Sequence, residues 1–270
     1  MSVQTFQMLA QGSDEWFEAR RGIVTASIIG QLISAGKRTA IDVDCPACSA
    51  TAGNECMSAR TNAPIKTKHP ERAQAARDGS NELILEPARN DAARAIILRL
   101  AGERINGWTE ETPMNAAMWR GVEDEPRARD LYNDRIAPVE EIGFMRRDDL
   151  GGPLGYSPDG LVGHDGLIEI KSRAPKSQIE TILAGHPPIF NMPQLQCGLL
   201  VSGREWIDYI SYAGGMHMWV HRVRPDQRWF DAIKATVRYA EAAIQETCRQ
   251  YADLTEGLIL TERITEEIEI

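Results

Sequence analysis

Three things are scarce in this sequence: long apolar runs, an excess of base, and cysteines that could all pair. No apolar run approaches the roughly 20 residues that a membrane-crossing helix needs. The opening MSVQTFQMLAQGSDEW lacks the basic start and apolar stretch of a signal peptide, so a cytoplasmic protein is expected. The net charge of −9 argues against a broadly basic nucleic-acid coat, but leaves room for nucleic acid held in a local groove. Part of the deficit is an acidic tail, residues 255–270 with Asp253 just before it, where Glu256, Glu262, Glu266, Glu267 and Glu269 face one base, Arg263. Solvation is the expected state of that tail. The cysteines number five, and an odd count in a reducing compartment points away from a disulfide framework.

What is present suffices for a sizeable core. The 270 residues are 43% hydrophobic and 26% charged, which suits one large domain or one domain carrying a small insertion. Ser13 followed by Asp14 and Glu15 reads as a helix start, and Gly22 separates it from a second helix beginning near Thr25 or Ser27. Residues 37–80 lack a clear period. Helical periodicity returns around 88–101 and again over 115–135. From about 139 the period shortens, and VEEIGFMRR, LGYSPDGLV and GLIEIKS read as three successive strands forming an antiparallel meander. Helices are expected over 175–184 and 191–202, a hairpin over 205–224, and a long terminal helix with Trp229, Ile233, Val237, Ala240, Ile244 and Tyr251 along one face. The fold class is α/β, with a central mixed sheet flanked by helices.

In GLIEIKS, Ile168 and Ile170 point into a core while Glu169 and Lys171 point the other way. A turn near His164–Asp165 folds the preceding strand back and brings Asp159 opposite Glu169 and Ile170. Two carboxylates and an ammonium then share one small surface. Close carboxylates repel unless a cation neutralises them, and oxygen ligands suit Mg²⁺. Lys171 is placed to orient or deprotonate a water. Spacing alone leaves a surface salt-bridge cluster as an equal reading.

Further stretches carry a resemblance. SPDG followed by EIKS resembles the metal-binding core of the PD-(D/E)XK nuclease superfamily. GSDEWFEARRGIVTAS (12–27), WRGVEDEPRARDLY (119–132) and MPQLQCGLLVSG (192–203) resemble, in order, motifs of the lambda-type, YqaJ-like viral recombinase exonucleases. The resemblance spans about residues 11–225 apart from the cysteine-rich insertion, within a nuclease core of about 11–254. It implies a metal-dependent 5′-to-3′ exonuclease acting on double-stranded DNA ends and leaving 3′ single-stranded overhangs for phage-type recombination. It implies two Mg²⁺ ions, with Mn²⁺ as a substitute, held by Asp159, Glu169, Glu125 and the backbone carbonyl of Ile170. Lys171 would serve the nucleophilic water and Gln194 would stand near the active site, while Arg20, Thr25 and Ser27 would receive the 5′ phosphate. Arg21 is the alternative to Arg20, and Glu123 the alternative to Glu125; Pro126 is expected to kink the helix or mark its start. The resemblance further implies a ring-shaped trimer, a single-strand annealing protein as partner, and a phage- or prophage-encoded protein of the host cytoplasm. The alternative within nucleases is a structure- or site-selective endonuclease or nickase on the same core. Outside them stand a non-enzymatic DNA-binding protein and a zinc-organised interaction adaptor.

Residues 38–80 form the insertion. Cys45, Cys48, Cys56 and His69 supply four ligands suited to a tetrahedral, structural Zn²⁺, which would organise a stretch too polar to fold on its own core. The stretch is similar to small phage zinc-knuckle modules, down to its H-P-x-R-x-x-A-A-R ending. Arg60, Lys66, Lys68, Arg72 and Arg77 give it a basic run suited to DNA backbone, and a plain structural clip is an equal alternative. Cys197 and Cys248 read as core, and His164 as a solvated turn residue.

Overall fold

The alternation in GLIEIKS is the organising feature of the molecule. The computed structural model describes residues 3–37, 39–78, 83–109 and 113–263. Its first half contains β1 (Gln4–Phe6), α1 (Asp14–Arg20), β2 (Val24–Thr25), α2 (Ala26–Leu32), β3 (Ile33–Lys37), β4 (Cys56–Met57), β5 (Pro64–Ile65), α3 (Pro70–Asp78), β6 (Leu83–Pro87), α4 (Asp91–Asn106) and α5 (Ala116–Arg135). The second half contains β7 (Phe144–Arg147), β8 (Leu154–Tyr156), β9 (Gly160–Val162), β10 (Gly166–Ser172), α6 (Pro175–Ala184), α7 (Met192–Ser202), β11 (Trp206–Tyr212), β12 (Trp219–Val223) and α8 (Gln227–Leu254). No helix among the described residues is long and apolar enough to cross a membrane.

The architecture is mixed α/β, as expected. One sheet has the order β12-β11-β10-β9, and β10 runs parallel to β11 from Gly166↔Trp206 to Ser172↔Tyr212. A parallel pair needs a long crossover, and α6 and α7 supply it. A second sheet has the order β1-β7-β8-β2. The expected three-strand meander is therefore corrected: LGYSPDGLV is two strands, β8 in one sheet and β9 in the other. Pro158 has no amide proton for a ladder, so the chain leaves one sheet at Ser157 and enters the next after Asp159.

Helices cover both faces of β10. Ala128 and Tyr132 of α5 close over Ile168, Ile170 and Ile210 in one cluster. Leu167, Ile207 and Tyr209 point to the other side and join Leu195 and Leu199 of α7 and Ile233, Val237 and Ile244 of α8 in the main core. Gly198 is required where α7 meets β8, since a Cβ there would lie 2.7 Å from the Tyr156 ring. Cys197 is buried and Cys248 half-buried, whereas Tyr251, expected on the core face of α8, is exposed.

Two further expectations change. The helix after Thr25 ends at Leu32, and β3 follows it, pairing antiparallel with β6 from Ile33↔Pro87 to Lys37↔Leu83. The chain thus leaves and re-enters the body on one two-stranded ribbon. Residues 37–80, read as aperiodic, contain the β4–β5 hairpin and the nine-residue helix α3. Both are too short and polar to produce an amphipathic signal, since their partners are ligands and backbone rather than a core.

Candidate metal centres

The first centre is built on the break between the two sheets. Asp159 Oδ2 accepts from the Ile170 amide at 2.5 Å, which fastens the loop before β9 to β10. Glu169, only 1% exposed, points to the α7 side. There Lys171 Nζ lies 2.7 Å from Glu169 Oε1, Gln194 Nε2 donates to the same oxygen at 2.5 Å, and Tyr156 Oη donates to Oε2 at 3.1 Å. Glu125 approaches from α5, its carboxylate 2.5 Å from Arg129. Arg129 also donates to the Asp159 carbonyl and to Glu141, at 2.8 and 2.7 Å, so it ties Glu125 to the Asp159 loop. A cavity of about 570 Å³ opens beside them, lined by Met8, Val122, Glu125, Arg129 and Asp159.

The electrostatics follow from that convergence. Burial, then the neighbouring Glu169 and Glu125 carboxylates, push the Asp159 carboxyl well above the ordinary range. Burial likewise raises Glu125, against the pull of Arg129. Burial by itself would lower the Lys171 ammonium, but Glu169 and Asp159 raise it, so it is protonated at neutral pH. Carboxylates held at this cost, around a cavity, are a donor set suited to a hard divalent cation. As a set they stand less close than the thiolates described below: among the described residues, only the cysteine cluster brings three or more metal-binding atoms within 4.8 Å of one another.

The residues that the sequence left as alternatives take different positions. Glu123 is exposed, while Glu125 faces Asp159 through Arg129. Pro126 lies inside α5 rather than at its start. Asp124 is buried and accepts from Ser172 Oγ at 2.7 Å.

A cluster of one guanidinium and three hydroxyls adjoins this centre. The Arg20 guanidinium stacks 3.8 Å from the Trp16 ring and donates to Ser157 Oγ at 3.1 Å and Ser27 Oγ at 3.3 Å. Trp16 Nε1 donates to the same Ser157 oxygen, and the Thr25 and Ser27 hydroxyls are 3.0 Å apart. Burial lowers Arg20 to about 10, leaving it charged at neutral pH. Arg21 keeps a buried Nε without a hydrogen-bond partner. Ser157, Tyr156, Arg129 and Trp16 escaped the sequence reading. Ser157 and Tyr156 stand beside the SPDG motif, where attention fell on the aspartate alone; for Arg129 the signal was its i+4 spacing from Glu125.

The second centre lies in the segment between β3 and β6. Cys45, Cys48, Cys56 and His69 place one ligand atom each within 4.8 Å of one another. Ser49, with a positive φ of 56°, turns the chain after Cys48, and its amide bonds back to the Cys45 carbonyl at 2.8 Å. The Met57 amide donates to Cys48 Sγ at 3.4 Å. Three thiolates and an imidazole in this arrangement form a structural zinc site. Burial opposes ionisation of the Cys56 thiol, but the His69 amide and the Arg72 side chain outweigh it and hold the thiol near 6. One expectation fails here. Arg72, read as a DNA-backbone contact, is 0% exposed and turned inward. Arg60, Lys66 and Arg77 remain on the surface, Arg77 bonded to Gln74.

Comparison with known proteins bears on the fold and on the zinc-binding segment. Residues 11–96 match a family described as "Putative DNA-binding phage zinc finger domain". No curated protein sequence matches. Among solved structures, an alkaline exonuclease from Laribacter hongkongensis is 26% identical, with a TM-score of 0.61 over 90% of this chain and 100% of that one. The same enzyme in complex with dAMP gives 27% identity and a TM-score of 0.62 over the same shares. A phage-related exonuclease from Haemophilus somnus covers 85% of this chain and 96% of its own at 13% identity and a TM-score of 0.49, too distant to bear on the site. The chain thus shares the fold of an alkaline exonuclease, in line with the resemblance read from the motifs, and its Cys3His cluster lies within the residues that match the phage zinc-finger family.

Proposed function

We propose that this protein is a metal-dependent exonuclease that degrades the 5′ strand from double-stranded DNA ends and leaves 3′ overhangs for phage-type recombination. The observation that carries the reading is the adjacency of the Arg20 cluster and the carboxylate centre through one tripeptide. Ser157 serves the Arg20 cluster, and Asp159, two residues on, serves the carboxylate centre. A terminal phosphate and a nearby scissile phosphate on one strand have the same relationship.

Asp159, Glu169, Glu125 and the Ile170 carbonyl are the groups that would hold two Mg²⁺ ions, or Mn²⁺ in their place. When bound, such ions neutralise the phosphodiester and lower the pKa of attached water. Lys171, protonated, orients the attacking water and offsets charge on the phosphate. Gln194 and Tyr156 keep the Glu169 carboxylate in one rotamer by donating to both of its oxygens. Arg20 clamps the 5′ phosphate, with Thr25, Ser27 and Ser157 as neutral donors beside it.

Residues 38–80 act as a separate zinc-organised unit within a nuclease core of about 11–254. Arg60 and Lys66 on its surface fit DNA backbone. A trimer closing around the duplex is the way an acidic chain would retain its substrate, and a single-strand annealing protein is the expected partner for the 3′ overhang. The alternative, an endonuclease or nickase, shares the metal site but has no use for the Arg20 cluster.

The test is incubation of linear duplex carrying a 5′ phosphate with Mg²⁺, with EDTA, and with Lys171→Ala. Release of mononucleotides from the 5′ strand that needs Mg²⁺ and falls by at least about 10²-fold in the variant supports the reading. Cleavage of closed circles turns it to an endonuclease, and binding without cleavage under any divalent metal overturns it.

A further inference from the structure

Arg72 is the least exposed long side chain of the inserted module, and nothing in the ligand set accounts for it. It lies on α3, three residues after His69, and is 0% exposed in a segment with little apolar core. A guanidinium has five N–H donors in a rigid fork. All five are used here. Nε donates to the Val43 carbonyl at 2.8 Å; Nη1 donates to the Asn54 carbonyl at 2.7 Å and to Cys56 Sγ at 3.4 Å; Nη2 donates to the Thr51 carbonyl at 3.0 Å and the Ile41 carbonyl at 3.4 Å. The partners come from three separate stretches of the loop: the turn at 41–43, Thr51, and the approach to Cys56. None of the five is a carboxylate.

A buried guanidinium is costly unless an opposite charge faces it. The only anionic group among its partners is the Cys56 sulfur. The converse holds for the cluster, since three thiolates and a neutral imidazole around Zn²⁺ carry a net charge of −1. The two charges cancel, and the same side chain that cancels them holds the loops bearing the cysteines. Groups hydrogen-bonded to metal ligands commonly set metal affinity as much as the ligands do.

We propose that Arg72 is the positioning residue of the zinc centre: its guanidinium balances the excess charge of the three-thiolate site through Cys56 and fixes the loops that present Cys45, Cys48 and Cys56, so that zinc retention depends on it. Lysine does not replace it, because an ammonium restores the charge but not the five-way fork. The proposal rests on zinc occupying the Cys3His cluster.

The test uses the full-length protein and the variants Arg72→Lys and Arg72→Met, with surface Arg77→Ala as control. Zinc content is measured first, then zinc affinity by competition with a chromophoric chelator, and finally the thiolate-to-metal charge-transfer bands after replacement by Co²⁺. The expected result is one zinc in the parent and in Arg77→Ala. Affinity should be weakened about 10- to 100-fold in Arg72→Met, with a smaller loss in Arg72→Lys. The charge-transfer bands should move in Arg72→Met, because Cys56 loses a donor. Affinity within about twofold of the parent in Arg72→Met, with unchanged bands, overturns the proposal even though zinc is bound. A parent chain that holds no zinc overturns the zinc assignment itself. If Arg72→Met does not accumulate, Arg72→Lys decides: parental affinity and bands in that variant overturn the need for the fork.

Discussion

The two metal centres of this chain are held up in opposite ways. The carboxylate centre stands on a sheet whose reverse face is packed by Ile168, Ile170, Ala128 and Tyr132, and whose near face joins the main core through Leu167 and Tyr209. The thiolate centre has no such support. Its module is a polar loop around Cys45, Cys56 and Arg72, with Ala76 the only other hydrophobic residue buried on its helix. The first site is carried by a fold that exists for other reasons, and destabilises it. The second site is the reason its surroundings fold. Metals would therefore have different roles in the two halves: a cation at the carboxylates would relieve repulsion in a finished structure, whereas zinc would replace the hydrophobic core that a 40-residue segment cannot build.

That contrast can be broken most forcefully at the zinc site. Stripping zinc with a strong chelator, or substituting Cys45→Ser, should unfold residues 39–78 and open them to trypsin at Arg60 and Lys66. The cut fragments should remain associated through β3–β6 and the body should melt as before. Protection of Arg60 and Lys66 at the parental level in the metal-free protein would remove the distinction drawn here.

A smaller effect of opposite sign is expected at the carboxylates. Asp159 and Glu125 have raised pKa values in the folded state. Such groups contribute most to stability below their unfolded pKa, and that contribution is lost as pH rises through the folded pKa. In EDTA, Asp159→Asn should thus stabilise the fold at pH 8 by on the order of 1 kcal/mol, read as a higher melting temperature, and the gain should vanish near pH 4. It should also abolish cleavage. A variant that is less stable than the parent at pH 8 would mean that Asp159 supports the loop more than it strains it.

The smallest effect sharpens the comparison from outside both sites. Glu241 on α8 forms a bidentate pair with Arg104 on α4, at 2.8 and 2.6 Å, and Arg104 also donates to the Gly22 carbonyl. The Arg104 guanidinium lowers the Glu241 carboxyl. A lowered pKa contributes stability above the unfolded value that is lost as pH falls through the folded one. Glu241→Gln should cost roughly 0.5 kcal/mol at pH 7 and progressively less as pH falls through the lowered carboxyl pKa, read as a pH series of denaturation midpoints. A loss that stays constant across the pH series would assign the effect to packing instead.

Much of this was legible in the residues because the signals were local. Alternation in GLIEIKS placed Glu169 and Lys171 on one face, and the register Gly160↔Ile168 carries Asp159 opposite them. The four ligands of the zinc cluster could be read because soft ligands have few other reasons to crowd together. What could not be read depended on partners distant in sequence. Pro158 breaks a strand in any context, yet the assignment of β8 and β9 to different sheets needs β7 and β10 as partners. Arg72 looked like a surface base because charge alone gives no direction. Its inward turn depends on five acceptors spread over residues 41–56.

The sequence by itself determined the chemistry: which carboxylates share a strand face, which four side chains suit zinc, and which motifs occur in which order. Those follow from a period of two and from ligand type, and both are properties of short segments. Only the tertiary structure decided which arginines face solvent and which serve as internal braces, and that the Arg20 cluster and the carboxylate cluster meet at Ser157–Asp159. Burial and adjacency of that kind arise when segments more than a hundred residues apart compete for the same contacts, as Arg20 and Ser157 do.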